Sequence, residues 1–296
     1  MSPKQPQFKA RAKRVIFLFM AGGPSHLETF DWKPELAKVG KGGHHQLLGS
    51  VVKFAPAGSG GVMISEVFPH LAQHADDLCL LNGVKTNNAG HQQATVAIHT
   101  GSENFVRPSL GSWVTYGLGS VAQDLPGFIT IDPISDLGGA ANYGSAFLPA
   151  SYQGTRLGAG AGSIPNIANR NLTPRDQRRQ LDFVERQNRR LLEEMPGQTE
   201  LEGLIESYEL AFKMQTSVPD TLDMSAEPQA MRELYGVDDG ETERFGASCL
   251  MARRLAEKGV RFIQLTSPGW DHHNHLKENI TRNATSIDKP IAGLIS

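Results

Sequence analysis

Short apolar runs alternate along the chain with longer stretches whose apolar positions recur at helical spacing. Val15-Ile16-Phe17-Leu18-Phe19-Met20-Ala21, Leu78-Cys79-Leu80-Leu81, Phe128-Ile129-Thr130-Ile131 and Val260-Arg261-Phe262-Ile263-Gln264-Leu265-Thr266 are each bounded by polar or turn residues. They predict buried strands near 14–21, 78–81, 128–131 and 260–266. A further strand is predicted near Val51 to Phe54, after the glycine stretch Gly40 to Gly43. Helices are predicted near Pro34 to Lys38, from Ile64 to His74 with Val67, Leu71 and Ala75 inward, and from His91 to His99 with Gly101 just past its end. Two more are predicted near Leu110 to Leu118 and from Glu241 to Glu257, the latter packing Phe245, Cys249, Ala252 and Ala256. This alternation predicts an α/β fold: one domain over 1–296, with a mostly parallel sheet and helices on both faces.

Two regions depart from the alternation. Residues 133–173 are punctuated by Gly138, Gly139, Gly154, Gly158, Gly160 and Gly162 and carry no sustained period. A segment of that length is a functional loop or holds short elements the pattern does not show. From Thr173, an N-cap, and Pro174, a first helical residue, a charged helix runs to about Glu194, before Pro196-Gly197. A second helix follows from about Glu200 to Gln215. Together they predict a helical hairpin over about 174–217, inserted into the α/β core. Leu181, Leu191, Tyr208 and Phe212 are expected on its buried side, and Arg178, Arg179, Arg189 and Arg190 in solvent.

Composition narrows the function classes. A chain of 296 residues can bury a large core. With 29 basic and 31 acidic residues the net charge is -2, which leaves no electrostatic footprint for nucleic acid. No apolar run is long enough to span a membrane. Basic residues ahead of the first apolar run also imitate a short signal peptide. The polar turn Gly22-Gly23-Pro24-Ser25-His26 that follows suits the carboxyl end of a parallel strand better. Cys79 and Cys249 sit in apolar context and read as buried free thiols.

Candidate chemistry gathers at predicted strand ends and at one helix start, where open α/β sheets place their ligands. After the first strand come Ser25, His26, Glu28 and Asp31, which offer a nucleophile, a base and metal ligands, with paired glycines ahead of them. The same residues also fit a simple helix start. Thr86 to His91 form a polar loop feeding a helix, whose free amides suit a phosphate or sulfate, or are capped by Asn88. After the last strand, Gly269-Trp270-Asp271-His272-His273-Asn274-His275 places a carboxylate and three imidazoles within five residues. Oxygen plus neutral imidazole nitrogen is the donor set of a divalent cation; a polar loop facing water is the plainer reading. Asp271 and His273 converge if the loop stays extended, Asp271 and His275 if it becomes helical.

The stretch from Arg14 to Pro34, RVIFLFMAGGPSHLETFDWKP, resembles the opening of the sulfatase-like domain-of-unknown-function family 1501, common in planctomycetes. The resemblance continues through His91 to Gly101, Ala146 to Ala150, Glu206 to Phe212, Cys249 to Leu265, Trp270 to His273 and Asp288 to Ala292, and so covers essentially the whole chain. It implies an alkaline-phosphatase-like fold that uses a divalent metal (Zn, Ca, Mg or Mn) on phosphate or sulfate esters of small molecules or glycans. It also implies a periplasmic or extracellular location. By this resemblance the first metal ligand falls among Ser25, His26 and Asp31. The late metal pair falls on Asp271 and His273, with His275 beside it, and the nucleophile position falls near His91. A sulfatase would show Cys or Ser there, so formylglycine chemistry is not expected. The family's twin-arginine leader and its later Glu-Phe-Gly-Arg-Thr-like and Gly-Arg-Asp-His-like motifs are missing. The chain is therefore expected to behave as a fragment with weak or absent metal binding and no appreciable phosphatase or sulfatase turnover. The alternative is a non-catalytic exported binding or assembly protein that retains the fold.

Overall fold

Two of the apolar runs form the fully buried middle of a parallel sheet, and the rest of the fold is arranged by what can pack beside them. The computed structural model describes all residues except 1, 7, 40–46, 159–170 and 196–198. The glycine stretch 40–43, Gly160, Gly162 and the helix break at 196–197 lie outside the described residues. In chain order the elements begin with β1 (Val15–Met20), α1 (Leu36–Val39), β2 (Phe54–Ala57), β3 (Val62–Ser65), α2 (His91–Thr100) and α3 (Leu110–Leu118). They continue with β4 (Phe128–Ile131), β5 (Thr155–Leu157), α4 (Pro174–Glu194), α5 (Thr199–Leu222), α6 (Gln229–Tyr235), α7 (Glu243–Glu257), β6 (Phe262–Ser267) and α8 (Leu276–Ile295).

The protein is α/β, with a four-stranded sheet in the order β1-β6-β4-β5. β4 pairs in parallel with β6, Phe128 opposite Phe262 through Ile131 opposite Leu265, and in parallel with β5. Val15 N donates to Arg261 O at 3.0 Å and Ala21 N to Ser267 O at 2.8 Å, so β1 also runs parallel to β6. Every residue of β4 and β6 is buried, as expected of strands apolar on both faces. The chain divides into two compact units: Met1–Leu18, Asn88–Ala226 and Met251–Leu265 form one, and Phe19–Asn87, Glu227–Leu250 and Thr266–Ser296 the other.

In the first unit Phe128 meets Phe262 edge-on at 5.2 Å, and Phe17 packs against both Phe262 and the buried His99 of α2. Burial pushes the His99 imidazole pKa down, although its contact with Thr95 O pulls the other way. α2 ends as the pattern predicts, with Gly101 at φ 75°. Thr173 caps α4 by accepting from Asp176 N at 3.2 Å. Helix α5 runs on past the expected end near 215, through Pro219, because Met214, Val218 and Leu222 continue one buried stripe at i, i+4 and i+8. The expected burial of the hairpin holds only in part: Leu191 and Tyr208 are 40% and 42% exposed. Arg178 also departs from expectation. Its guanidinium joins the helices through Glu209 at 2.9 and 2.5 Å, bonds Asp182 at 2.7 Å, and lies 5.0 Å over the Phe212 ring. A planar fork matched to a carboxylate outweighs solvation there. The glycine-punctuated segment contains a strand the pattern did not reveal, β5, only three residues long.

In the second unit the helix expected over 64–74 is instead β3, followed by a 3-10 turn at Leu71–Asp77. The predicted strand near 51–54 is displaced to β2, which pairs antiparallel with β3. Gly58 and Gly61, at φ 66° and 65°, make the reversal, and Asp76 ties it down by accepting from Ser59 N at 2.7 Å. Val67, Leu71 and Ala75 are nevertheless buried, so the packing was legible where the element was not. The run 78–81 forms no strand among the described residues, Leu81 is 71% exposed, and Cys79 is exposed rather than buried. Without a partner strand its backbone has no ladder to join. The core gathers Phe68, Trp270, Ile280, Ala284 and Ile287, with Phe30 stacked on Phe68 at 4.9 Å.

Candidate metal centre

Leaving the sheet, β1 and β6 stay bonded for one further step. Trp270 N donates to Ala21 O at 3.0 Å. At the next position the backbones touch. Gly22 has φ 109°, and a Cβ there would stand 2.6 Å from Asp271 N, so only glycine admits this approach. The loop after β1 and the loop after β6 are thereby fixed side by side within the second unit.

The 269–275 loop is held almost entirely through its backbone and one indole. Trp270 is fully buried and donates from Nε1 to Ser267 Oγ at 3.0 Å. Two asparagines one turn apart on α8 grip the rest: Asn283 Nδ2 donates to Gly269 O at 2.7 Å, and Asn279 Nδ2 to Asn274 O at 2.8 Å. Asn283 Nδ2 also lies 3.2 Å from His272 Nε2, so the neutral ring accepts there. Burial is the main cause holding the His272 imidazole below its ordinary pKa. The loop passes Gly269 at φ 86°, bends at His273 and Asn274, and His275, at φ 49°, starts α8. His272 is half-buried there, whereas Asp271 and His273 are exposed, and His273 Nε2 meets Asp271 Oδ1 at 2.8 Å. Their side chains are 77% and 42% exposed for His273 and Asp271 respectively. That pair can share a proton, or give up the proton and offer one nitrogen and one oxygen to a cation.

The loop after β1 is organised the other way, by its side chains. Ser25 donates from Oγ to the carboxylate of Glu28, which is buried and also accepts from Val51 N at 3.4 Å. Asp31 is 8% exposed and accepts from Lys33 Nζ at 2.8 Å, with His26 Nε2 at 3.9 Å. The two metal candidates of this loop are thus brought together, but with an ammonium already on the carboxylate. His275 is exposed at the start of α8. His91, in the first unit, is the exposed first residue of α2, and the N-cap is Gly90, not Asn88; Asn88 Oδ1 instead accepts from Gly90 N at 2.8 Å.

The family model for a protein of unknown function, DUF1501, matches residues 12–296. The chain belongs to the DUF1501 family. No curated protein and no solved structure matches it. Sequence reasoning missed two groups of residues at this DUF1501 site. Asn279 and Asn283 were visible as a pair at i and i+4, the spacing of one helix face. The Ser25-x-x-Glu28 spacing is that of a capping box, and it marked Glu28 as a partner of Ser25.

Proposed function

We propose that this chain is a metal-dependent hydrolase scaffold for phosphate or sulfate esters, sulfatase-like and of alkaline-phosphatase type, with Asp271 and His273 as ligands to a divalent cation. The observation that carries the reading is the Asp271–His273 contact of 2.8 Å, presented outward by a loop whose backbone is held at Gly269, Trp270 and Asn274. Ligands on a pre-held loop lose little freedom on binding, and a hard oxygen with a borderline nitrogen suits zinc or manganese. The chemistry such an ion supplies is polarisation of a phosphoryl or sulfuryl oxygen. Zn, Mn, Ca and Mg remain candidates, and export to the periplasm or beyond is proposed on the sequence resemblance alone.

A second reading, a binding or assembly protein without turnover, is favoured by one observation. Asp31 is engaged with Lys33, and so is withdrawn from a ligand role. Equilibrium dialysis of the purified chain against Zn²⁺ and Mn²⁺ tests the metal claim. Binding that disappears in Asp271→Asn and His273→Ala is expected; binding unchanged in both variants overturns it. Chelator-sensitive release of p-nitrophenol from its phosphate or sulfate ester then separates hydrolase from binder: release supports the first reading, and metal binding without release the second.

A further inference from the structure

One asparagine stands where its own backbone can react with it. The sequence holds a single Asn-Gly pair, Asn82-Gly83, at the centre of a turn that Val84 N closes on Leu81 O at 3.3 Å. Such a turn is closed by groups at its two ends, so the Gly83 N–H between them has no part in it. Among the described residues no acceptor receives that N–H. The pair belongs to no helix or strand. A side chain on the following residue would hinder a backbone nitrogen from reaching back to the asparagine Cγ. Gly83 has none, and glycine torsions are the freest. The amide of Asn82 is loosely held, donating from Nδ2 to Phe30 O at 3.3 Å, beyond the usual range. Asn142, Asn279 and Asn283 differ on each count. They donate from Nδ2 at 2.7, 2.8 and 2.7 Å, lie in a 3-10 turn or in α8, and precede Tyr143, Ile280 and Ala284.

We propose that Asn82 is a site of spontaneous deamidation, with water as the co-reactant. Gly83 N loses its proton to hydroxide and attacks Asn82 Cγ. The new N–C bond closes a succinimide ring as the Cγ–Nδ2 bond breaks, and Nδ2 leaves as ammonia with a proton taken from water. Water then opens the ring at either carbonyl. Opening at one restores the main chain with aspartate at position 82. Opening at the other routes the main chain through the side-chain carbon, as isoaspartate. Both products replace an amide by a carboxylate and add a negative charge. Neither can donate from that side chain to Phe30 O, so a carboxylate faces the carbonyl instead. The tie that is lost joins the 81–84 turn to the backbone just before Asp31.

The tryptic peptide 54–85 contains Asn82 as its one asparagine, which makes the site readable by mass spectrometry. When the intact chain is held at body temperature and neutral pH, a form of that peptide one mass unit heavier should accumulate. Chromatography should resolve it into two isomers, and fragment spectra should place the change at residue 82. The reaction should run faster in mildly alkaline buffer, because the attacking nitrogen must lose a proton. Gly83→Ala should keep the turn, since a Cβ there meets nothing within 4 Å, and should slow the reaction about tenfold. The same incubation in urea gives the rate of the unfolded chain. The folded chain should react within about threefold of it, because no local opening has to come first. A folded chain that reacts far more slowly than the unfolded one overturns the proposal. So does a heavier peptide whose change lies at another residue, or a rate that Gly83→Ala leaves unaltered.

Discussion

The loops that follow β1 and β6 start from the same place, bonded from Trp270 N to Ala21 O and in close approach at Gly22 and Asp271, and then spend their polar groups in opposite ways. After β1 the side chains hold the loop: Ser25 on Glu28, Glu28 on Val51 N, Lys33 on Asp31. After β6, Asn279 and Asn283 hold the backbone, and Asp271 and His273 meet at 2.8 Å. A polar cluster in sequence is therefore not one kind of thing. Where side chains supply the hydrogen bonds that fix a turn, they are consumed by it. Where a neighbouring helix supplies them, as Asn279 and Asn283 do here, the backbone is held from outside the loop.

The largest effect should come from the point where the two loops touch. Gly22→Ala puts a side chain at φ 109° and 2.6 Å from the Asp271 backbone nitrogen, where nothing flexible can yield. Backbone strain and overpacking together should cost about 3 kcal/mol or more in denaturant unfolding. A loss below about 1 kcal/mol would mean that the loops separate easily and are not mutually fixed. The next effect lies in the loop after β1. Glu28→Ala leaves a half-buried hydroxyl and a backbone amide unmet and should cost about 1–3 kcal/mol. A loss below about 0.5 kcal/mol would mean that Glu28 does not hold this turn.

A smaller effect, read as affinity, sharpens the same contrast. Asp271→Asn and His273→Ala should each weaken zinc binding at least tenfold, about 1.4 kcal/mol. His272→Ala should leave zinc affinity nearly unchanged while lowering stability, because the ring packs near Trp270 and accepts from Asn283. Titration calorimetry on the three variants decides between these outcomes. Equal loss of affinity for His272 and His273 would show that the half-buried ring is offered as readily as the exposed one.

Periodicity carried the parts of this molecule that fold on local terms. The strands at 15–20, 128–131 and 262–267 and the helix caps at Thr173 and Gly101 all follow from alternation or capping chemistry. What it missed depends on partners distant in sequence. Residues 78–81 have a strand's composition but no neighbour to pair with, while Thr155–Leu157 have little of it and gain a strand from the edge of β4. Residues 64–74 show helical spacing of buried positions, but the glycine reversal at 58–61 pulls Val62–Ser65 into a hairpin first. Arg178 looked like solvated charge because Glu209 stands 31 residues away. At the site, His and Asp were legible as types, and their division into engaged and available was not, since Lys33, Val51 and Asn283 make that division.

A third carboxylate calibrates the comparison, with the smallest effect. Asp288 on α8 is buried and accepts from His70 N and Leu71 N, each at 2.8 Å. Burial raises its pKa from the ordinary 3.8, and the two amide bonds that favour the charged form do not overcome that cause. A folded-state pKa above the unfolded one means that its contribution is fully present below pH 3.8 and declines as pH rises through the folded value. Other carboxylates, such as Asp76 and Glu209, are shifted downward and act in the opposite sense, so the raw stability curve mixes both. The Asp288→Asn variant removes this one titration while keeping an acceptor oxygen. The stability of the native chain minus that of the variant should therefore shrink with rising pH, by at most about 1.4 kcal/mol per pH unit. Paired urea unfolding at several values between pH 4 and 7 measures this difference. A difference that widened toward neutral pH would mean that the two amides outweigh burial, and that Asp288 is held as a charged cap on the 71–77 turn.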